Sequence, residues 1–423
     1  MKYSRHDFGS YKLHIIKTTK FKTVSVIVNF RRSISKEETT IRSFLSLILL
    51  NSTNKYPTKR LLNIEAEKLY DLEISPAIKR IGNHGILSFE LNMINEKWTE
   101  TGMYEKSLNY LLDILFDPHV VDNKFDSKSF NLVKRDLITK INNIKDNKKK
   151  YAVVKMLEAM DKRGLLPYRF GYLEDVANIN EANLYDYYLD VIKSDVVDIF
   201  VLGNIDVNQT KKIIQQKIPL NTIKKQKREL EIKHQDFRKR IKKIKEEEDV
   251  KQAKMVIGCK LINLTDFEKK YVMPIFSNIF GGAGYSKLFR SVREQKSLAY
   301  YINSQYIYAD QILITSSGIN QESFDKTLQQ VRKELQNMLK GNITKEEVEN
   351  AKNEYINVHQ LIEDHPRALI NTYLTMELLE LDNIKTRIKK IKEVTIDDLK
   401  KVSKKIKMDT VYLLYGDDIN EEN

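Results

Sequence analysis

The sequence predicts an α+β protein made of two homologous halves, each with helices packed on a mostly antiparallel sheet. Three observations lead to this fold class. The chain has 423 residues, 41% of them hydrophobic, which suffices for roughly two or three buried cores. Segments with strand periodicity and segments with helix periodicity occur in consecutive groups. Short segments also recur at a nearly constant offset, which indicates a duplication.

The predicted elements follow from hydrophobic periodicity. Alternating apolar or β-branched residues predict strands, and apolar residues at helical spacing predict helices. In the first half we predict strands at residues 23–30 and 85–91 and helices at 41–50, 61–70 and 104–116. In the second half we predict strands at residues 254–259, 300–308 and 311–317 and helices at 267–279, 324–339 and 345–363.

The repeat divides the chain. Residues 131–138 resemble 350–356, and Leu184 and Gly203 recur as Leu399 and Gly416 at offsets of 215 and 213. Several matches at one offset indicate a domain of about half the chain. We therefore predict an N-terminal domain at residues 1–207, a charged linker at 208–248 and a C-terminal domain at 249–423.

Net charge is the feature that most directly suggests a ligand. The 72 Lys and Arg residues against 58 Asp and Glu give a charge of +14, which is compatible with nucleic-acid binding. The densest basic stretch, residues 224–245, is followed directly by the acidic run at 246–249. That arrangement is typical of a solvated, self-paired connector. No zinc-finger spacing or phosphate-loop lysine accompanies it, so we do not expect a nucleic-acid partner.

Composition restricts the compartment and the chemistry. The single cysteine, Cys259, excludes a disulfide framework and a cysteine-based metal cluster, and we predict that it lies in a core strand. No apolar run approaches about 18 residues, and residues 1–7 lead into no signal-peptide segment. We therefore expect no membrane partner and a reduced cytoplasm. None of the seven histidines lies four residues from another, and we predict that His359 and His365 are surface groups.

Two short segments are candidates for a ligand site. Gly281, Gly282 and Gly284 precede Ser286, which suits the start of a helix. These glycines fit a tight interhelical turn as well as a ligand loop, and the Gly-Lys-Ser/Thr ending of a phosphate loop is missing. Arg293 and Tyr300 stand seven residues apart, where a predicted helix ends and a strand starts. A guanidinium can fork onto a carbonyl and a phenol can donate to an oxyanion. By themselves, these residue types favour a surface arginine and a half-buried strand tyrosine.

The duplicated α+β chain together with the motif that runs from Gly281 to Tyr300 resembles the insulinase/pitrilysin family. These inverzincin zinc peptidases are relatives of mitochondrial processing peptidase. The resemblance covers essentially the whole chain and implies that each half forms part of a clamshell. Active members carry His-x-x-Glu-His on an early helix, and a later helix completes the zinc site with a glutamate.

The resemblance implies that the zinc site of this chain is lost. It places Ser43 and Leu47 at the histidine ligands and Ser46 at the water-activating glutamate. On the later helix, Val133 and Lys140 stand where glutamates would, and we expect Lys140 to put a cation in the metal's place. The resemblance therefore implies no bound cofactor and no catalytic activity of this chain alone, because without zinc no water of lowered pKa attacks the peptide bond.

The resemblance further implies the non-catalytic subunit of a heterodimeric zinc peptidase. Arg293 and Tyr300 would face a peptide bound to the zinc of an active sister subunit, with Gly281, Gly282 and Gly284 shaping the chamber wall. An edge strand near residues 73–80 would pair with an extended peptide. The positive charge would favour acidic peptides or an acidic partner face. The alternative is a metal-free homodimer that binds or escorts peptides without cutting them.

Overall fold

A computed structural model describes residues 1–161, 163, 165–166, 170–218 and 238–416. The chain forms two compact units, each assembled from separate stretches of sequence. Unit 1 comprises Met1–Asn142, Tyr168–Arg228 and Pro366–Asn371, and unit 2 comprises Asn143–Pro167, Glu229–His365 and Thr372–Asn423.

Regular elements occupy most of the described residues before the central gap. The strands are β1 Lys2–Asp7, β2 Tyr11–Lys17, β3 Thr23–Ser33, β4 Glu73–Ile81, β5 His84–Ile94, β6 Val120–Val121, β7 Lys124–Phe125 and β8 Val196–Gly203. The helices are α1 Thr39–Ile48, α2 Lys59–Lys68, α3 Met103–Phe116, α4 Ser127–Asn142, α5 Lys148–Met160, α6 Leu173–Val176, α7 Glu181–Ser194 and α8 Val207–Lys217.

The same holds after the gap. The strands are β9 Lys242–Glu247, β10 Ala253–Leu261, β11 Ala299–Ile307, β12 Ile312–Ile319 and β13 Ile406–Tyr415. The helices are α9 Met273–Ser277, α10 Phe324–Lys340, α11 Lys345–Leu361, α12 Pro366–Leu379, α13 Ile384–Lys392 and α14 Ile396–Ser403. Three π-helical segments span Glu268–Val272, Asn278–Gly282 and Phe289–Glu294. Every predicted element is confirmed with small shifts of its ends, and the predicted helix at 267–279 is a run of π-, α- and π-helical turns. No described helix combines the length and apolar character needed to cross a membrane.

The sheet of unit 1 has six strands in the order β1-β2-β8-β3-β5-β4. Neighbours pair antiparallel except β2 and β8, which are parallel. Alternate residues of β3, from Val24 to Phe30, point into the core that the helices cover. The strand predicted near residues 73–80 is β4, and it is an edge strand. The predicted class of a mostly antiparallel sheet packed by helices is confirmed.

The sheet of unit 2 has five strands in the order β11-β12-β10-β13-β9. Only the β13–β9 pair is parallel. One face of β10 carries Met255, Ile257 and Cys259 into the helix-covered core. Burial raises the pKa of the Cys259 thiol to about 12, so this cysteine is an inert core residue as predicted.

Helix α5 belongs to unit 2 although it follows unit 1 helices in the sequence. Its Tyr151, Met156 and Met160 pack on the opposite face of the five-stranded sheet. A Cβ at Gly258 would lie 2.5 Å from the Met156 Sδ atom, so the methionine side chains of α5 pack closely over this glycine. The division of the chain therefore differs from the predicted boundary at residue 207, because the apolar face of α5 is buried on β10 and β13.

The start of α12, Pro366–Asn371, belongs to unit 1, although the residues on either side of it belong to unit 2. Arg367 Nε lies 2.9 Å from Glu90 Oε2, and Lys79 Nζ donates to Asn371 Oδ1 at 3.2 Å. Both contacts tie residues 366–371 to the strands β4 and β5. Contacts between residues so far apart in the sequence cannot be predicted from a short sequence repeat.

The predicted linker at residues 208–248 contains ordered elements at both ends. Helix α8 extends to Lys217, and β9 pairs with β13. Ile244 of β9 packs against the α5 side of the sheet. This apolar contact holds the charged segment in unit 2. The predicted basic stretch at 224–245 lies outside the described residues up to position 237.

Candidate functional site

Helices α1 and α4 of unit 1 carry the positions at which zinc ligands are expected in active relatives. Ser43 is fully buried and Ser46 is 2% exposed. The Ser46 hydroxyl donates to the Ser43 carbonyl at 2.6 Å. Phe44 stacks on Phe130 of α4 with 4.7 Å between ring centroids. The two helices therefore meet through apolar packing, and the two serines lie inside it.

The later-helix positions do not restore a polar site. Val133 is 4% exposed and belongs to the unit 1 core. Lys140 is exposed on the last turn of α4. The expectation that Lys140 puts its cation in the metal's place is therefore corrected, because its side chain at the end of α4 is exposed to solvent and does not enter the packing around Ser43.

The short helix α6 and the residues before it pack against α1. The Thr40 hydroxyl donates to Asp175 Oδ2 at 2.7 Å, and it accepts from the Tyr172 amide at 3.0 Å. Helix α6 also contacts α4. These contacts hold the segment that includes α6 against α1 and α4.

The residues present do not fit zinc. Protein zinc ligands are thiolates, imidazoles and carboxylates, whereas Ser43, Ser46, Leu47 and Val133 offer two hydroxyls and two aliphatic groups. Over the part of the chain that the structure describes, no three His, Cys, Asp or Glu side chains are grouped so as to hold a metal ion.

The two histidines near the end of α11 differ from each other. His365 is exposed, as predicted. His359 is 7% exposed, and its ring stacks on Tyr355 with 4.1 Å between centroids. Burial lowers the pKa of His359. The prediction of a surface group is therefore wrong for His359, because Tyr355 one helical turn earlier covers it.

The glycine segment of unit 2 is held against strand β11. Gly281 is buried, and a Cβ there would lie 2.6 Å from the Ser304 Cβ and 2.9 Å from the Ser304 amide nitrogen. Gly282 is exposed, and a Cβ there would come 3.1 Å from the Ser277 carbonyl oxygen. Gly284 is exposed with open space around it. Close packing therefore explains glycine at position 281 but not at position 284.

Two glutamates of α11 form hydrogen bonds and ion pairs with residues 278–290, around and after the glycines. The sequence analysis predicted neither. Glu354 accepts from Asn278 Nδ2 at 3.0 Å and from the Tyr285 hydroxyl at 2.7 Å. These partners stand on either side of the glycines. Burial and the Glu354 carboxylate together raise the pKa of Tyr285. The signal in the sequence is a glutamate pair seven residues apart on one helix, since that spacing brings both side chains to one face.

The second glutamate, Glu347, holds the helical turn that leads to Arg293. Its carboxylate accepts from Lys287 Nζ at 3.0 Å and from Arg290 Nη2 at 2.5 Å, and it completes a capping box with Thr344. Burial raises the pKa of Glu347, but the Thr344 amide and the two cations outweigh it, so its pKa lies below the ordinary value.

Arg293 and Tyr300 are both exposed. The Arg293 guanidinium lies 4.9 Å from the centre of the Phe289 ring. Tyr300 is 59% exposed, and its hydroxyl donates to Asn320 Oδ1 at 3.0 Å. The pairing of β11 with β12 is irregular between Ala299 and Tyr301, which takes Tyr300 out of the regular ladder. The half-buried tyrosine favoured by residue type alone is therefore replaced by an accessible phenol.

A cavity of about 540 Å³ lies in unit 2 beside the glycine segment. Gly282 and Asn278 line one part of it, and consecutive residues of the edge strand β11, from Asn303 to Tyr306, line another. Lys270 and Arg387 contribute cations.

The chain is similar to several known proteins. Residues 178–355 match the family described as Peptidase M16 inactive domain. The chain is 30% identical over 422 residues to the probable inactive metalloprotease YmfF of Bacillus subtilis (strain 168), a match that covers 98% of this chain and 97% of YmfF. It is 27% identical over 290 residues to the uncharacterized zinc protease YmxG of the same organism, covering 66% of this chain and 67% of YmxG. The crystal structure of a conserved protein from Enterococcus faecalis V583 matches with a TM-score of 0.89 and 25% identity over 99% of both chains.

The fold defines a peptidase-like protein, and the residues that the resemblance places at the metal positions are not zinc ligands. The chain belongs to the M16 peptidase family. Within it, the chain is an inactive homologue of the metalloproteases. The family predicted from residues 281–300 is confirmed, as is the prediction that this chain alone is not a catalyst.

Proposed function

We propose that this protein is the non-catalytic subunit of a heterodimeric zinc peptidase and that its Arg293 and Tyr300 serve the active site of a His-x-x-Glu-His sister subunit. The observation that carries the proposal is the contrast between Ser43, which is buried in apolar packing, and Tyr300, which is exposed and accessible. The two B. subtilis relatives support it, since one organism holds both a probable inactive member and a zinc protease.

In this proposal the two side chains act on the peptide backbone. The Tyr300 phenol exchanges its hydrogen bond to Asn320 Oδ1 for one to the oxyanion that forms on the attacked carbonyl. The Arg293 guanidinium holds a neighbouring carbonyl or carboxylate of the peptide. Stacking on Phe289 limits the freedom of Arg293 before the peptide arrives, and the irregular β11 ladder exposes Tyr300 at the end of a rigid strand.

Strand β4 supports the binding of an extended peptide. It is the last strand of the six-stranded sheet among the described residues, and a strand added to a sheet edge can form main-chain hydrogen bonds. Pro76 within β4 leaves one position without an amide donor, so pairing would use the residues on either side. We propose a reduced cytoplasm as the compartment, with zinc held by the sister subunit alone.

The test is peptide cleavage by the chain purified together with its active sister. Arg293→Ala and Tyr300→Phe should each lower turnover about 10²-fold if an interaction with the oxyanion or the peptide is lost. Both side chains are exposed, so the free energy of unfolding should change by no more than about 0.5 kcal/mol. A loss of turnover without a loss of stability is therefore the expected result.

Two matched variants control for surface changes of the same type. Arg332→Ala removes another exposed arginine of unit 2, on α10. Tyr70→Phe removes the hydroxyl of another exposed tyrosine, which donates to Glu100 at 2.6 Å. Both should cleave at the wild-type rate. If Arg293→Ala and Tyr300→Phe also cleave at that rate, the assisting role is disproved.

A second function, peptide binding or escort by a metal-free homodimer, is favoured by the cavity along β11. This chain forms the whole cavity within unit 2, so it needs no sister subunit. Light scattering of the chain alone, and then mixed with the sister, separates the two functions. A stable homodimer that retains a labelled peptide and ignores the sister would replace the proposed heterodimer.

A further inference from the structure

Half of the protein's net charge lies in one short stretch of unit 2. Residues 384–407 contain ten Lys and Arg residues and three acidic ones, a net charge of +7 against +14 for the whole chain. The stretch consists of α13, α14, the residues that join them to each other and to β13, and the first two residues of β13. We call it the basic surface.

Most cations of the basic surface face solvent without a counter-charge. Two have partners: Lys390 pairs with Glu393 at 3.3 Å, and Lys405 pairs with Glu268 at 2.7 Å. The exposed lysines that pair with no carboxylate among the described residues are Lys385, Lys389, Lys392, Lys400, Lys401, Lys404 and Lys407. On α13 the first three recur at helical spacing, so they share one face.

The composition of the basic surface restricts what it binds. It contains no aromatic residue, and none of the exposed large hydrophobic side chains falls within it. Membrane binding by a surface helix uses inserted apolar side chains, and binding of single-stranded nucleic acid uses stacking aromatics. Its one arginine, Arg387, donates to the Tyr355 hydroxyl at 3.1 Å, so it is engaged inside unit 2. The remaining exposed lysines of the basic surface are complementary in charge to a flexible ligand that carries many carboxylates.

We propose that the basic surface binds acidic segments of peptides. The proposal rests on the function proposed above only in taking peptides as the ligand, and it names their class. Arg387 lines the cavity of unit 2 from the same helix that presents Lys385, Lys389 and Lys392. A bound acidic segment therefore lies on the helix that forms part of the cavity wall. Long-range attraction of this kind acts mainly on the rate of association.

The experiment measures binding to the full chain without any sister subunit, so its outcome is independent of cleavage. The probe is a fluorescent alternating Glu-Gly peptide, and its anisotropy is recorded at about 20 mM salt, where screening is weak. An alternating Gln-Gly peptide should not bind. The triple variant Lys385→Glu, Lys389→Glu, Lys392→Glu should bind the Glu-Gly peptide about tenfold more weakly.

A second triple variant carries the same change in net charge elsewhere. Lys326, Lys333 and Lys340 are exposed on α10 and also share one face. Their replacement by glutamate should leave the affinity within about twofold. The proposal is overturned if both triple variants bind equally weakly, if the Glu-Gly peptide fails to bind the wild type, or if duplex DNA or phosphatidylglycerol vesicles bind more tightly than the peptide.

Discussion

The α1 helix of unit 1 and the segment from Gly281 to Tyr300 in unit 2 treat their polar groups in opposite ways. On α1, Ser43 and Ser46 are buried among apolar rings, and Ser46 donates to the backbone of its own helix. In unit 2, glutamates of α11 hold the segment while Arg293 and Tyr300 stay exposed. The polar groups of α1 therefore lie in core packing, whereas the segment from Gly281 to Tyr300 presents accessible side chains and is held in place by α11.

This difference between buried and exposed polar groups indicates where an inactive homologue can retain a function. A hydroxyl buried in apolar packing, as at Ser43 and Ser46, is out of reach of a ligand. The exposed Arg293 and Tyr300 remain accessible although each has a local contact, with Phe289 and with Asn320. Three experiments test this contrast.

The largest effect is expected when the family's motif is put back on α1. In the triple variant Ser43→His, Ser46→Glu, Leu47→His, two large polar side chains enter sites that are at most 2% exposed. Overpacking and the burial of a carboxyl should cost at least about 3 kcal/mol of unfolding free energy. Urea unfolding and metal analysis measure the outcome.

The single variant Leu47→His is the control, because Leu47 is only partly buried. It should cost less than the triple variant by about 2 kcal/mol. A triple variant that is as stable as the wild type and holds one zinc ion per chain would show that α1 is still a metal site.

A smaller effect is expected from filling the space beside β11. Gly281→Ala places a methyl group 2.6 Å from the Ser304 Cβ, which should destabilise the protein by about 1–3 kcal/mol. Gly284→Ala adds the same methyl group where nothing lies within 4 Å, and it should change stability by less than about 0.5 kcal/mol. Thermal unfolding distinguishes them, and equal melting temperatures would contradict the close approach of Gly281 to β11.

The smallest effect concerns the ion pairs of Glu347. Glu347→Gln keeps the shape but removes the charge that Lys287 and Arg290 contact, at a cost of about 1 kcal/mol near pH 7. The folded protein holds the pKa of Glu347 below its ordinary value of 4.5. The stabilisation is therefore complete above pH 4.5 and is lost as the pH falls through the lowered pKa.

Urea unfolding of wild type and Glu347→Gln between about pH 7 and pH 3 measures this dependence. The two proteins should differ most at neutral pH and converge in acid. Stabilities that differ equally at every pH would mean that the charge of Glu347 contributes nothing.

Local patterns in the sequence were enough to predict the helices and strands, the division into two halves and the family. Strand and helix periods are properties of neighbouring residues, so Thr23–Ser33 and Lys345–Leu361 could be predicted nearly to their ends. The resemblance places Ser43, Ser46 and Leu47 at the family's zinc-ligand and water-activating positions, and residue type then predicts the loss of zinc, because a hydroxyl or an aliphatic group cannot replace an imidazole.

Only the tertiary structure decided which of these positions are accessible. Placing α5 in unit 2, burying His359 under Tyr355 and leaving Lys140 in solvent all depend on contacts formed in the folded protein. The same is true of Glu354, whose partners Asn278 and Tyr285 are more than 65 residues away in sequence. The sequence by itself thus determined the chemistry that is absent from this protein, while packing between distant segments decided which remaining side chains are free to act.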